Sequence, residues 1–224
     1  MASGIAARTA TDRLLLVDLD GTLIDRNRAF RAAAVRFLAG CGIADDPAWL
    51  LEQDGDGYTP RAELAAALQA RYPQLPGPAV AAFLDRGAAD DVELDRPVRD
   101  GLAALRAEGW RLAVVTNGGV EQQRAKLTRT GLDRLTDVQV ISEAVGLRKP
   151  DPAIFALAAE LSGRSAAAAW VVGDSAGNDI AGAVAAGCRS VWVGDGRDWT
   201  EPGYAPTAVV ADTPAALAYV ARRP

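Results

Sequence analysis

At 224 residues and 23.3 kDa the chain has room for one large domain, or for a core plus a modest second module. Its formal net charge is −5, from 29 acidic against 24 basic residues with no dense Lys/Arg block, which argues against nucleic-acid recognition through a basic surface. Histidine is absent, which excludes imidazole bases, His-containing triads and His-ligated zinc, and two cysteines, Cys41 and Cys188, are too few for a disulfide framework or a thiolate metal site.

The opening MASGIAARTA lacks the continuous apolar core of a signal peptide, and no apolar run reaches 18 residues. A cytoplasmic protein with no membrane partner is expected, with its two thiols reduced and residues 1–10 frayed. LLLV, residues 14–17, is the first short apolar run and predicts a buried strand. Residues 25–94 then carry helical patterns over about 26–39, 60–71 and 78–86, with no convincing strand. A structureless loop of that length would be anomalous, so the segment is predicted to be a helical cap inserted after the first strand. Within it, DGDGYTPRAELA imitates a calcium-binding loop, but Thr59 and Ala65 stand where the essential glycine and the bidentate glutamate belong. A turn before a helix is the better account.

After the insert the rhythm becomes regular. A helix over 95–109 holds Pro97 near its start and Gly109 at its end, and LAVV (112–115), VQVI (138–141), WVV (170–172) and VWV (191–193) predict four further strands. DPAIFALAAELSG and NDIAGAVAAG supply helices that end at Gly163 and Gly187. The alternation predicts an α/β fold, a three-layer doubly wound, Rossmann-like parallel sheet. Its core would be discontinuous, over 11–24 and 95–224, with the cap at 25–94.

Acidic residues gather just past these runs. Asp18 and Asp20 follow the first strand, with Gly21 and Thr22 marking a sharp departure of the chain, and Asp174 and Asp179 follow the fourth. The carboxyl ends of parallel strands share one edge of a sheet, so all four can converge there. Thr116, Asn117 and Lys149 arrive at the same edge. Oxygen ligands favour Mg²⁺, and a lysine beside a hydroxyl and free backbone N–H groups seats phosphoryl oxygens. Singly, each motif is an ordinary turn or cap signal. In order, each past an apolar run, they point to phosphoryl transfer.

With those residues in view, the chain resembles the haloacid dehalogenase superfamily in its branch with a helical cap. The motifs are DLDGT (18–22), TNG (116–118), the lysine of RKPDPAIF (148–155) and GDSAGND (173–179), and the likeness spans about residues 12–212. It implies a phosphatase acting on a small phosphorylated metabolite, with Mg²⁺ as cofactor. By the same likeness Asp18 is the nucleophile and Asp20 the general acid and base. Thr116, the Asn117 backbone N–H and Lys149 bind the phosphoryl group. Asp18, the Asp20 carbonyl and Asp174 hold the metal, and Asp179 and Gly21 support the site.

Rival chemistries are separable by residue. A dehalogenase of this family normally lacks the second aspartate, and a phosphonatase needs a cap lysine, yet 25–94 contains none. A phosphomutase shares the core and differs in releasing no phosphate. A phospho-receiver signalling domain needs neither a cap nor the Asp174 and Asp179 pair. The substrate and the choice between monomer and homodimer are left open at this stage.

Overall fold

The structure, a computed structural model, describes residues 13–223; the frayed tail expected over 1–10 lies outside the described residues. The chain divides into two compact units. One comprises Ile24–Glu93 with Glu121–Leu132, and the other comprises 13–23, Leu94–Val120 and 133–223.

The unit built around Ile24–Glu93 holds four helices in succession: α1 (Arg26–Gly40), α2 (Ala48–Asp54), α3 (Arg61–Arg71) and α4 (Gly77–Arg86). Three match the predicted patterns; α2, seven residues long, is too short to give a periodic signal of its own. Phe83 anchors the interior, stacking on Phe30 at 5.6 Å and on Phe37 at 4.5 Å between ring centroids. The segment that imitates a calcium loop is spent otherwise. Asp54 takes both terminal nitrogens of Arg26 in a buried fork, Nη2 to Oδ1 at 2.9 Å and Nη1 to Oδ2. Gly57 sits so near that an added Cβ would lie 2.9 Å from the Arg26 Cζ. A buried pair of this kind leaves a costly orphan if either partner is removed, about 3–5 kcal/mol.

In the other unit all strands are parallel and the order is β3-β2-β1-β4-β5-β6, where β1 is Leu14–Val17, β2 Arg111–Thr116, β3 Val138–Ile141, β4 Ala169–Gly173, β5 Arg189–Val193 and β6 Ala208–Val210. The first five coincide with the predicted runs. The sixth, an edge strand of three residues over Ala208–Val210, was not among the predicted strands although its residues are apolar; it is half-exposed rather than covered on both faces. Helix α5 (Arg96–Ala107) precedes β2, and α6 (Val120–Thr130) follows it. From Glu121 onward α6 belongs to the mainly helical unit: Gln122 accepts from Arg61 at 2.8 Å and donates to the Asp85 carbonyl at 3.1 Å, and Arg129 donates to the Val92 carbonyl at 3.2 Å. Short α7 (Leu132–Leu135) and α8 (Ser142–Val145) flank β3; then come α9 (Pro152–Leu161), α10 (Ala181–Ala185) and α11 (Thr213–Ala221).

Side-chain alternation produces the layers. Leu14, Leu16, Ala113, Val115 and Val171 pack with Ile154, Phe155, Ala158 and Ala183 of α9 and α10 in one cluster. Leu15, Val17, Leu112, Val114 and Val172 alternate to the other face, where α5 and α11 pack closely enough that a Cβ on Gly101 would lie 2.9 Å from Leu217. Every residue of β1 is fully buried, and four such side chains contribute ~1.5–3 kcal/mol each by leaving water. Among the described residues no helix is long and apolar enough to cross a membrane.

Candidate active site

Strand order decides where the acidic residues meet. The chain runs outward from β1 through β2 to β3, then crosses back to place β4 on the opposite side of β1. At that switch point the loops leaving adjacent strands diverge and open a crevice at their carboxyl ends. Asp18 leaves β1 here while its N–H still donates to the Val172 carbonyl at 3.0 Å, so the ladder holds its backbone one residue past the strand. Asp174 leaves β4 directly beside it.

Three carboxylates converge: one oxygen each from Asp18, Asp174 and Asp179 lie within 4.8 Å of one another. Unit charges ~5 Å apart repel by about 3 kcal/mol at an effective dielectric near 20. Lys149 Nζ offsets part of this, donating to Asp18 Oδ1 at 2.5 Å and to Asp179 Oδ1 at 2.7 Å. Burial pushes the Asp18 carboxyl up to about 7; Lys149 pulls it back, and Asp179 and Asp20 add to the rise. Asp174 rises to about 6, again mainly through burial and then the charge of Asp18, against the Thr22 hydrogen bond and Arg197. Burial also raises Asp179, and the Lys149 charge opposes it. Lys149 itself is desolvated, yet Asp179 and Asp18 outweigh that and hold its ammonium above the usual lysine range.

The second-strand motif acts on this lysine. Asn117 Nδ2 donates to the Lys149 carbonyl at 3.0 Å and its Oδ1 accepts the Lys149 N–H at 3.0 Å, so one side chain clamps the lysine backbone at both polar atoms. Sequence reading assigned Asn117 a backbone contribution; its side chain carries this second task. Thr116 is buried at the end of β2, and the Asp20 side chain is half-buried and outside the group of three carboxylates.

Two glycines are required by contact. Gly21 has φ +82°, and a Cβ there would lie 2.6 Å from Asp174 Oδ2. At Gly173 a Cβ would fall 2.3 Å from the Asp179 Cγ. Asp179 lies in a π-helical turn, Ala176–Ile180, where the Ser175 N–H donates to Asp179 Oδ2 at 3.1 Å and Ser175 Oγ accepts the Asn178 N–H at 3.3 Å. Such turns, with one extra residue, often mark functional sites. The predicted continuous helix from Asn178 is therefore split into this turn and α10. From sequence Thr22 is only part of the sharp departure of the chain after β1, and Gly173 and Ser175 carry no role of their own. Thr22 Oγ1 donates to Asp174 Oδ1 at 3.0 Å, and the Thr22 carbonyl accepts from Thr213 Oγ1 at 2.6 Å. Trp49 packs edge-on to Tyr72 at 5.8 Å beneath Arg71, and Tyr58 is exposed.

The donor set fits a hard divalent cation. Carboxylate oxygens crowd one spot, imidazole is absent from the chain, and a single ammonium leaves the acidic group with excess negative charge.

Comparison with known proteins agrees with this geometry. Residues 13–187 match the family model for haloacid dehalogenase-like hydrolases. The plasmid phosphoglycolate phosphatase of Cupriavidus necator is 36% identical over 205 residues, spanning 88% of this chain and 86% of that protein. The chain belongs to the haloacid dehalogenase-like hydrolase family. Another relative of this hydrolase, the phosphoserine phosphatase of Thermus thermophilus, is 40% identical over 111 residues, which is 50% of the chain and 45% of that protein, so the match spans about half the length of that relative. Among solved structures, YfnB from Bacillus subtilis, crystallised bound to magnesium, superposes on the hydrolase with a TM-score of 0.77 at 23% identity, over 93% of this chain and 98% of the other. That likeness establishes the fold.

Proposed function

We propose that this hydrolase cleaves small-molecule phosphate monoesters through an aspartyl-phosphate on Asp18. The observation that carries the reading is the convergence of Asp18, Asp174 and Asp179 on one spot with Lys149 bonded to two of them, and with Asp20 two residues beyond the nucleophile. The relatives' names support it, since those just described are phosphatases of small carboxylated phosphate esters.

An Asp18 carboxylate oxygen would attack phosphorus in line, forming the Asp18–phosphorus bond as the bond to the leaving oxygen breaks. Asp20 gives its proton to the departing alkoxide. It then takes a proton from water, whose oxygen attacks the same phosphorus; the acyl-phosphate bond breaks, inorganic phosphate departs and Asp18 is regenerated. Lys149 and the Thr116 hydroxyl hold the transferring oxygens, and Asn117 keeps the Lys149 backbone in register. Mg²⁺, held by Asp18, the Asp20 carbonyl and Asp174 with Asp179 in support, would supply charge neutralisation and fix the nucleophile's orientation. Residues 25–94 serve as the cap that selects the leaving group, on a catalytic core of 11–24 and 95–224.

The test is a phosphate-release panel spanning phosphoserine, phosphoglycolate, glyceraldehyde 3-phosphate and nucleoside monophosphates, with and without Mg²⁺, beside Asp18→Asn and Asp20→Asn. Release of free phosphate separates this reading from a mutase, and rapid loss of the phosphoaspartate separates it from a receiver domain. Asp18→Asn is expected to abolish turnover, and Asp20→Asn to lower it by ~10²–10⁴. Metal-independent turnover, or full activity in Asp18→Asn, refutes the mechanism.

A further inference from the structure

The turn that carries Asp174 is held from outside by side chains that take no part in the chemistry above. Trp192, on β5, donates its Nε1–H to the Asp174 carbonyl at 2.8 Å, and Arg197 Nη2 donates to the same oxygen at 3.1 Å. Two residues further along the turn, the Ala176 carbonyl accepts from the Tyr204 hydroxyl at 3.2 Å. These three donors come from the end of β5 and from residues 194–207 that follow it, a stretch of chain distant in sequence from every motif residue.

The donors are themselves fixed. Arg197 lies over the Trp192 ring at 5.2 Å and bonds the Gly194 carbonyl through Nε at 2.8 Å and the Val193 carbonyl through Nη2 at 3.2 Å. Trp199 stands edge-on to Trp192 at 5.1 Å and to Tyr204 at 5.5 Å, and its Nε1–H meets the Glu201 and Tyr204 carbonyls at 3.1 and 3.2 Å. Trp192, Trp199 and Tyr204 thus form a continuous aromatic row with its two ends bonded to the Asp174–Ala176 backbone.

We infer that this row is a clasp that positions Asp174: by fixing the backbone of the Asp174–Ala176 turn, Trp192, Arg197 and Tyr204 set how tightly the carboxylate cluster takes a divalent cation. The physical reason is preorganisation. A turn bonded at both carbonyls presents the Asp174 carboxylate with its direction already chosen, whereas a free turn must be ordered by the cation as it binds. The clasp rests on the proposed metal site, although not on phosphate-ester hydrolysis. Trp192, Arg197 and Tyr204 are positioning residues, since none of them belongs to the cluster of carboxylates itself.

Arg197 is a poor probe, because removing its charge would also strengthen the attraction of the acidic cluster for any cation. The neutral changes Trp192→Phe and Tyr204→Phe delete one donor each and keep a ring in the row. We expect the double variant to bind Mn²⁺ roughly 10-fold more weakly than wild type, as the loss of supporting hydrogen bonds does at other metal sites. Binding is read without substrate, from the free Mn²⁺ signal in electron paramagnetic resonance, on protein shown folded by circular dichroism. In turnover the Mg²⁺ activation constant should rise by the same factor, with kcat at saturating Mg²⁺ and the KM for substrate within about twofold of wild type. Trp199→Phe, which loses only the bonds to Glu201 and Tyr204, is expected to leave Mn²⁺ affinity unchanged.

Wild-type affinity in the double variant overturns the clasp, and so does an equal loss in Trp199→Phe, which would mean general loosening of the loop. Wild-type protein that binds no Mn²⁺ overturns it together with the metal site. Weakened Mn²⁺ binding in a protein that releases no phosphate from any ester upholds the clasp and refutes the phosphatase reading alone.

Discussion

Asn117 holds Lys149 by both backbone polar atoms at 3.0 Å, acting on the lysine from a neighbouring loop 32 residues earlier in the chain. The clamp fixes where the Lys149 side chain begins, and the Asp18 and Asp179 carboxylates fix where it ends. Asn117→Ala removes two partly buried hydrogen bonds and strands two backbone groups. A stability loss of about 1–3 kcal/mol is expected in urea unfolding. Phosphate release should fall further than stability does, because the ammonium loses its alignment. Asn117→Asp keeps the acceptor and should recover part of both.

Lys149 is the single cation bonded to the buried cluster among the described residues, and its removal has two readouts. Lys149→Met leaves Asp18 and Asp179 uncompensated, with an expected cost of about 3–5 kcal/mol in metal-free protein. Added Mg²⁺ should restore part of that stability by binding the folded state. Activity should stay low even at saturating Mg²⁺, since the phosphoryl oxygens have lost their lysine. Denaturant titrations with EDTA and with Mg²⁺, paired with phosphate release, check both halves. Full rescue of turnover by Mg²⁺ would show that the lysine only balances charge.

Gly173 offers a test by size alone. A methyl group there meets the Asp179 Cγ at 2.3 Å, so Gly173→Ala must displace that carboxylate. Overpacking of this kind costs about 1–3 kcal/mol. Asp179 also holds Lys149 and the Ser175 N–H, so the displacement should weaken divalent-cation affinity as well as lower the melting temperature. Calorimetric titration of Mg²⁺ against the variant would detect it.

The pH dependence of the metal-free protein follows from the buried acids. Asp18 and Asp174 have folded-state pKa values of about 7 and about 6, both above the ordinary 3.8. A carboxyl raised by folding binds its proton more tightly in the folded state than in the unfolded chain. Its contribution to stability is complete below about pH 4 and is lost as pH rises through 6 to 7. In EDTA the melting temperature should therefore fall between about pH 4 and about pH 7 and level off above, with ~2–4 °C lost per kcal/mol for a chain of this size. Mg²⁺ should flatten that slope by stabilising the ionised cluster. An EDTA profile that climbs over the same range would mean the acids are not buried together.

A fifth measurement addresses the thiols. Cys41 is exposed, whereas burial pushes Cys188 up to about 11. Only the thiolate reacts with alkylating agents. At about pH 8 one thiol per chain should react rapidly in native protein and the second only after denaturation. Two fast thiols would place Cys188 at the surface.

Much of the unit that holds the sheet was legible in the chain itself. Strands covered on both faces must be apolar at every position, so LLLV, LAVV, VQVI, WVV and VWV announced five strands of the sheet. The residues of the proposed site stood past the ends of those runs, where a parallel sheet gathers them, and that is why Asp18, Asp174 and Lys149 could be named without coordinates. The sixth, AVV, is apolar too, but three half-exposed residues at an edge are little different in sequence from a loop. In the helical unit the periodic helices were readable, but the pairing of Arg26 with Asp54 was not, since a buried charge pair looks in sequence like two surface charges.

Local patterning marked out the residues of the proposed site; three-dimensional packing decided what holds them. Hydrophobic runs and turn signals act between neighbours along the chain, and so they can be read in one dimension. The grip of Asn117 on Lys149, the closeness of Gly173 to Asp179 and the reach of Trp192 to the Asp174 carbonyl join residues on different strands or loops. Such contacts depend on register and strand order, which arise only when the whole sheet has closed around its core.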